Sequence, residues 1–175
     1  KARNTIIVLW TDHGWHLGEK KHWRKFALWE EAGRTPLMFV VPKGVANALP
    51  EGTHPGSRVE YPVGLIDLYP TLIELCGLPA NPSNEGRSLV PLLADEKSNW
   101  ERPVLTTHGR NNHSLRTTRW RYIRYADGSE ELYDHEADPN EWRNVANRPD
   151  LANIKQRLTK WLPKKNALNA RKIKN

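Results

Sequence analysis

The sequence predicts an α/β fold over its first hundred residues, followed by a small antiparallel sheet and one helix. Up to Trp100, short apolar runs alternate with helical patterns, which is the order of elements in α/β proteins. After Trp100, short strand-like runs are separated by turn residues, as in a β-meander. Apolar residues then recur at helical spacing near the C-terminus.

The first hundred residues contain two predicted strands and two predicted helices. The strands, at 5–10 and 37–41, are short, apolar and β-branched, which is typical of buried strands. A polar loop leads from the first strand into an amphipathic helix predicted at 23–32. A second helix is predicted from about 67 to 76, because leucines recur at helical spacing there and Pro70 suits the first helical turn.

The later part predicts four strands and a final helix. A hairpin is expected at Asp127-Gly128, because this dipeptide favours tight turns. Apolar positions on one face predict a helix from about 149 to 162. The predicted strands lie at 103–107, 114–118, 120–125 and 131–133. We therefore divide the chain into part of an α/β domain (1–100), a small α+β subdomain (101–162) and a basic, disordered tail (163–175).

Composition excludes several classes of function. The formal net charge is +7, but five of the cations lie in the tail 163–175, which contains no acidic residue, so we expect no nucleic-acid partner. No apolar run approaches the roughly 18 residues that a membrane span requires. The single cysteine, Cys76, excludes an internal disulfide, and its place on an apolar helix face predicts a buried thiol.

The chemistry is concentrated directly after the first strand. Asp12 and His13 fall at the strand's end, the position where ligands gather in open α/β sheets. A carboxylate and an imidazole there could hold a metal ion, and a lysine a few residues on could hold an anion beside it. The alternative reading is a turn-capping aspartate followed by a surface histidine.

Four stretches resemble a type I sulfatase, most closely the iduronate-sulfatase and choline-sulfatase-like branch. The likeness is colinear from about residue 4 to residue 162, which makes it more specific than any single motif. The matching stretches are Thr11-Asp-His-Gly-Trp-His-Leu-Gly-Glu19 with His22-Trp-Arg-Lys25 and Arg34-Thr-Pro-Leu37, the helix at 63–79, Gly86-Arg-Ser-Leu89, and the C-terminal run from Glu131 to Asn144.

The resemblance implies an alkaline-phosphatase-like fold, present here in part with its N-terminal half missing. It implies hydrolysis of a sulfate ester, by default on a sulfated glycan, with a Ca²⁺ ion (or Mg²⁺) holding the sulfate and the nucleophile. The nucleophile of such enzymes is a formylglycine made from Cys or Ser in a Cys/Ser-x-Pro-x-Arg motif. The resemblance also implies a periplasmic or secreted full-length protein.

This chain contains no Cys-x-Pro-x-Arg or Ser-x-Pro-x-Arg sequence, so the formylglycine is expected upstream of it. We therefore expect the chain to be inactive alone. Two alternatives stay open at this point. The full protein could be a phosphodiesterase or phosphonate hydrolase of the same superfamily, or the chain could be a truncated, non-catalytic binding fragment.

The resemblance assigns candidate catalytic and metal-binding residues. Asp12 and His13 match a metal-binding pair, and Lys25 matches a lysine that contacts the sulfate. Lys20 and Lys21 compete with Lys25 for that role. His22 is a candidate acid or hydrogen-bond donor, with a surface histidine as the alternative.

The resemblance also assigns candidate substrate-binding residues. Arg34 precedes the second strand and is expected near the pocket, although a charge at a helix end explains it equally well. His108 and His113 flank a loop expected to approach the substrate, with an ordinary polar hairpin loop as the alternative. Glu30 or Glu31 is expected to order Lys25 or Arg34 through an ion pair.

Overall fold

The structure, a computed structural model, describes residues 2–50 and 53–168. The chain forms two compact units, and it passes from one to the other three times. The first unit joins Lys1–Asp12 to Thr35–Glu101, and the second joins His13–Arg34 to Arg102–Asn175. The segment 13–34, which carries most of the candidate site residues, therefore groups with the C-terminal part of the chain.

The described residues form ten α-helices and β-strands. In chain order they are β1 Ile7–Trp10, α1 Glu30–Gly33, β2 Leu37–Val40, α2 Leu68–Leu75, α3 Val90–Ala94, β3 Val104–Thr107, β4 His113–Arg116, β5 Trp120–Arg124, β6 Glu130–Asp134 and α4 Ala152–Thr159. Short 3₁₀ turns at Leu65–Asp67 and Pro149–Leu151 lead into α2 and α4. No helix among residues 2–50 and 53–168 is long and apolar enough to cross a bilayer.

In the first unit, β1 and β2 form an antiparallel two-stranded sheet. The β2 residues Leu37 and Phe39 pack against a core of Leu89, Leu92 and Trp100. The opposite face is apolar and exposed, since it carries the cross-strand pairs Ile7↔Val40 and Leu9↔Met38, each residue 53–57% exposed. The prediction of a fully buried strand at 5–10 is therefore wrong within this chain, because only one face of the sheet is covered.

Buried polar groups fix the start of α2. The Asp67 carboxylate accepts the N–H groups of Gly64 (2.9 Å) and Arg87 (2.8 Å), and the Thr71 hydroxyl accepts the N–H of Leu89. The predicted helix at 67–76 is confirmed at 68–75, where a left-handed Gly77 (φ 65°) follows its end. Cys76 is exposed, so the prediction of a buried thiol is wrong.

In the second unit, β3 to β6 form a four-stranded antiparallel meander, as predicted. The hairpin at Asp127-Gly128 is also confirmed, because Gly128 takes a left-handed φ of 86° that favours glycine. The predicted C-terminal helix is present as α4 and the 3₁₀ turn before it. The core contains buried residues of the sheet and of the C-terminal segment: Leu115, Tyr122, Leu132, Ala146, Leu158 and Leu162.

The predicted helix at 23–32 is wrong, because only Glu30–Gly33 is helical. Leu28 and Trp29 pack instead against Ile123 and Tyr133 of the sheet, in a segment of bends that precedes the short helix. Tertiary packing of these large apolar side chains thus overrides the local helical pattern. Of the predicted tail, residues 163–168 have no regular secondary structure and 169–175 lie outside the described residues.

The packing of the second unit predicts that two directly paired leucines contribute very differently to the free energy of unfolding. Leu115 on β4 is fully buried, whereas its cross-strand partner Leu105 on β3 is 43% exposed. We expect Leu115→Ala to lower the free energy of unfolding by about 2–5 kcal/mol, and Leu105→Ala to lower it by about 1 kcal/mol or less. Urea unfolding followed by circular dichroism measures both; equal losses would contradict this assignment of the core.

Candidate active site

The segment 13–34 folds back on itself through Gly14. The Gly14 N–H donates to the carbonyl of Ala32 (2.9 Å). A Cβ atom at position 14 would overlap the backbone carbonyl oxygens of Glu31 and Arg34, so only glycine allows the two stretches of backbone to approach so closely. We call this close approach the Gly14 crossing. This crossing explains the glycine of the Asp-His-Gly motif, because it sets His13 beside the end of α1.

His13 and Lys25 are brought together by this fold. The Lys25 Nζ lies 3.0 Å from His13 Nε2, and His13 Nδ1 lies 2.7 Å from the Gly14 carbonyl oxygen. An ammonium group can only donate, so Nε2 is the acceptor and the imidazole proton is on Nδ1, which donates to the carbonyl. Two residues that the resemblance assigns to one site, a candidate metal ligand and a candidate sulfate-binding lysine, are therefore in direct contact.

The arrangement around His13 fits a metal ligand. Ligating histidines usually donate one ring N–H to a carbonyl or carboxylate, which fixes the tautomer and directs the other lone pair at the metal. The His13 Nδ1–H donates to the Gly14 carbonyl, as in such a ligand. The Nε2 lone pair is directed at a cation, which here is the Lys25 ammonium. Asp12, the next residue in the chain, has an exposed side chain and offers the carboxylate oxygens that Ca²⁺ and Mg²⁺ prefer.

His108 reaches the same region through Phe26. The two rings stack at 5.7 Å between centroids with an interplanar angle of 30°. Lys25 Nζ lies 5.7 Å from the centroid of the same Phe26 ring, which is 55% exposed. His108 itself is exposed.

The other two predicted substrate-binding residues, His113 and Arg34, differ in exposure. His113 is the first residue of β4, so it borders the loop after β3 as predicted, but its side chain is buried at 3% exposure. Its Nδ1 contacts the Thr107 hydroxyl (2.9 Å) and its Nε2 contacts Asn166 Oδ1 (2.6 Å), which occupies both ring nitrogens. Arg34 is exposed directly after α1, and its N–H donates to the carbonyl of Glu30.

His22 packs into an aromatic cluster with His16 and Trp29. The His16 and His22 rings meet edge to face at 5.1 Å, and Trp29 lies 5.9 Å from His16 and 6.0 Å from His22. His16, which the sequence left without a role, is 1% exposed. A catalytic role for His22 stays a prediction.

Lys20, one of the competitors for the sulfate, is held elsewhere. Its Nζ lies 4.5 Å from the Tyr133 ring centroid and 4.8 Å from that of Trp29, and it donates to the Tyr133 hydroxyl (3.0 Å) and the Glu141 carbonyl. These contacts attach the loop to the sheet of the second unit. Lys21 is exposed, so Lys25 is the lysine of this loop that the structure sets beside His13.

A buried charge network fixes the same segment from its other end. The Arg121 guanidinium, on β5, is bound by the carboxylates of Glu30 and Glu141. It also donates to the Ser114 hydroxyl (2.7 Å) and to the Leu28 carbonyl (3.1 Å). Glu30 therefore forms its ion pair with Arg121 on β5. The prediction that Glu30 pairs with Lys25 or Arg34 is wrong.

Glu141, in the C-terminal run from Glu131 to Asn144, completes the network. Its carboxylate accepts the backbone N–H of Glu30 (3.0 Å) and lies 2.8 Å from His135 Nε2. Arg116 lies 3.0 Å from Glu30 and 2.8 Å from His135 Nδ1. Sequence reasoning missed Arg116, Arg121 and His135; the only available signal was the presence of charged residues inside strand-like and turn segments.

The network lowers the pKa of both of its carboxyl groups. Burial by itself raises the pKa of Glu30, but the guanidinium groups of Arg121 and Arg116 outweigh burial and lower the pKa from 4.5 to about 2. The pKa of Glu141 is also lowered, because its bonds to His135 and Arg121 outweigh burial. Glu30, His135 and Glu141 present ligand atoms within 4.8 Å of one another, but the two guanidinium groups already neutralise the carboxylates.

Comparison with known families identifies the region. Residues 18–167 match the family described as N-sulphoglucosamine sulphohydrolase, C-terminal. A protein of Formosa agariphila named Sulfatase is 45% identical over 166 residues, which cover 95% of this chain and 31% of that protein. Human Arylsulfatase K is 31% identical, with 82% of this chain and 28% of that protein covered. The chain thus spans about a third of the length of these relatives.

Solved structures show the same architecture. A structure described as a 2-O GAG sulfatase has a TM-score of 0.73 at 27% identity, over 89% of this chain and 33% of that chain. A protein solved with its substrate, D-glucosamine-2-N,6-O-disulfate, has a TM-score of 0.69 at 27% identity, over 90% of this chain and 33% of that chain. The phosphonate monoester hydrolase of Agrobacterium radiobacter, at 23% identity, shares the fold (TM-score 0.72), over 89% of this chain and 33% of that chain.

The lowered pKa of Glu30 predicts a pH-dependent contribution to stability. A carboxyl group whose pKa falls on folding stabilises the protein above its ordinary pKa, and this contribution disappears as the pH falls to the folded-state value. For Glu30 the window runs from about pH 4.5 down to about pH 2, and the contribution is about 3 kcal/mol.

Glu30→Gln tests this directly. We expect the variant to be less stable than the wild type near neutral pH, and the difference to shrink as the pH falls through that window. Urea unfolding at a series of pH values measures it. A difference that does not change with pH would show that the Glu30 carboxylate is not held by the two arginines.

Proposed function

The chain belongs to the sulfatase family, as a C-terminal portion of such a protein, and from this premise we propose that the protein containing it hydrolyses sulfate esters. The observation that carries the proposal is the contact between His13 Nε2 and Lys25 Nζ at 3.0 Å. One segment of the chain therefore presents, side by side, a side chain of a kind that binds metal ions and a side chain of a kind that binds anions.

Lys25 would bind the sulfate group. Its ammonium is a compact positive charge on a flexible stem, which suits an oxygen of an anionic ester. The same charge would stabilise the negative charge that develops on the leaving oxygen during hydrolysis. The neighbouring Phe26 ring lies 5.7 Å from the ammonium, a distance at which a cation–π attraction helps to position it.

Asp12 and His13 would hold the divalent cation, Ca²⁺ or Mg²⁺. When bound, that ion polarises the ester and orients the nucleophile. Binding of a cation to His13 Nε2 would release the Lys25 ammonium from its present acceptor and leave it free for the sulfate. The formylglycine nucleophile would come from sequence upstream, since no Cys/Ser-x-Pro-x-Arg motif is present here, and we expect the chain alone to be inactive.

We further propose a sulfated glycan as the substrate, and a periplasmic or secreted location for the full-length protein. Arg34 and His108 supply exposed polar groups for sugar hydroxyls or acidic substituents. Trp15 (50% exposed) and Trp23 (69% exposed) belong to the same segment and offer flat apolar surfaces to a sugar ring. The relative solved with a disulfated glucosamine supports this substrate class. We leave His113 out of the set, since both of its nitrogens are bound internally.

We predict that Lys25→Ala in the full-length protein lowers kcat/KM for a sulfated disaccharide by about 100-fold or more, because a charge that stabilises the transition state is lost. Asp12→Ala should abolish both hydrolysis and the dependence on Ca²⁺. Release of inorganic sulfate measures the rates.

Lys21→Asn is the matched control, because Lys21 is exposed in the same loop and asparagine tolerates its left-handed φ of 57°. We expect it to leave kcat/KM unchanged. A phosphonate monoester is tested in parallel. Faster hydrolysis of the phosphonate than of any sulfate ester, or full activity in Lys25→Ala, would contradict the proposal.

A further inference from the structure

A buried histidine attaches the loop 16–25 to the rest of the second unit. His16 is 1% exposed, and its ring packs edge to face on His22 (5.1 Å between centroids, 85°) and on Trp29 (5.9 Å, 78°). Neither ring nitrogen of His16 has a hydrogen-bond partner, and the same is true of His22 Nε2. Within residues 2–50 and 53–168, these three are the only buried side-chain nitrogen or oxygen atoms without one. Ring packing, rather than hydrogen bonding, therefore holds the His16 side chain.

Ring packing of this kind accepts a neutral imidazole and opposes a charged one. An imidazolium carries two N–H donors, and a charge that is buried without acceptors or water is far more costly than a neutral ring. Histidine is the side chain whose charge ordinarily changes near neutral pH, with a usual pKa of 6.5. To bind a proton, the His16 ring therefore has to turn out of the cluster towards water.

The charges that face His16 do not remove this cost. Burial lowers the pKa of His16, and the nearby His22 lowers it further. The carboxylates of Glu19 and Glu31 act in the opposite direction, as does the Glu19 backbone carbonyl, but together they leave the pKa below its ordinary value. His16 is therefore neutral near pH 7.

The other charged groups that line the same cleft have partners of their own. The Lys20 ammonium lies 4.8 Å from the centroid of the Trp29 ring, so it adds a positive charge beside the cluster and also opposes protonation. The carboxylates of Glu30 and Glu141 bind the Arg121 guanidinium, which neutralises them. No uncompensated carboxylate of the described cleft, other than those of Glu19 and Glu31, favours an imidazolium.

The cluster closes a loop that leads to the candidate site. The Gly18 N–H donates to the His22 carbonyl (3.0 Å), and the His16 N–H donates to the carbonyl of Arg24 (3.4 Å), whose own side chain is exposed. Lys25, the proposed sulfate-binding residue, directly follows Arg24. Movement of His16 out of the cluster would therefore loosen the loop next to Lys25.

We propose that His16 is a proton-sensitive latch, which holds the loop 16–25 while its ring is neutral and releases the loop when the ring binds a proton. The released ring binds a proton more readily than the packed ring, so acid favours release. The latch is closed above pH 6.5 and opens increasingly as the pH falls below that value. This conformational change does not depend on which ester the protein hydrolyses.

Hydrogen exchange of the 175-residue chain tests the latch. The amides of Gly18 and His22 report opening of the loop, once their rates are corrected for the intrinsic effect of pH on exchange. We expect the opening constant to rise by up to about tenfold for each pH unit below 6.5. At every pH these amides should be less protected than those of β5. Equal protection would mean that the whole second unit opens, and it would overturn the proposal.

His16→Phe removes the proton-binding group but keeps a ring in the cluster. We expect the opening constant of this variant to change by less than about threefold between pH 7 and pH 5, because phenylalanine binds no proton. His54→Asn is the control, since His54 is exposed in a loop of the first unit; it should keep the wild-type pH dependence. The window of Glu30 begins only at about pH 4.5, so the two effects are separate. A wild-type pH dependence in His16→Phe would contradict the latch.

Titration of the His16 ring by NMR gives a second measurement, which needs no variant and so holds even if His16→Phe does not fold. We expect the packed ring to stay neutral at pH values below 6.5. A ring that gains its proton at pH 6.5 or above while the loop stays closed would refute the proposal. Both measurements are independent of sulfate-ester hydrolysis, so their failure would leave the proposed function standing.

Discussion

The guanidinium of Arg121 lies in the interior of the second unit at 3% exposure, where water cannot neutralise it. Removing one partner of a buried ion pair costs about 3–5 kcal/mol, because the remaining charge is left without compensation. Arg121 is compensated by Glu30 from the segment before β2 and by Glu141 from the C-terminal run, and it also binds the Leu28 carbonyl. The requirement to neutralise one strand arginine therefore draws two distant parts of the sequence to the same sheet.

This arrangement explains why two stretches that match sulfatases occur together. The C-terminal run supplies Glu141 and His135, which touch no candidate catalytic residue in the described structure but fix Glu30. Lys20, held between the Tyr133 and Trp29 rings, attaches the same segment at a second point. Between these two attachments the chain carries Lys25, and the Gly14 crossing returns His13 to meet it. We infer that the small sheet positions the candidate site rather than only completing a fold.

Much of the fold followed from local pattern. The meander from β3 to β6, the Asp127-Gly128 hairpin, α2 and α4 each depend on short-range periodicity or turn chemistry, which one sequence displays. The helix predicted at 23–32 failed because Leu28 and Trp29 gain more by packing on Ile123 and Tyr133 than by forming a helix. The family resemblance assigned His13 and Lys25 to the same site, but their direct contact is visible only in the structure. The role of Arg121 could not be foreseen, because its side chain is held by Leu28 and Glu30, which lie 93 and 91 positions away in the sequence.

The central claim is that the charge network around Arg121 holds the segment 13–34 on the sheet of the second unit. Hydrogen exchange of the backbone amides, compared between the wild type and Arg121→Gln, tests it most directly. We expect much faster exchange in the variant for the amides of Gly14, Gly18 and Glu30, with protection in β4 and β6 largely kept. Unchanged exchange across 13–34, or uniform loss of protection over the whole second unit, would contradict it.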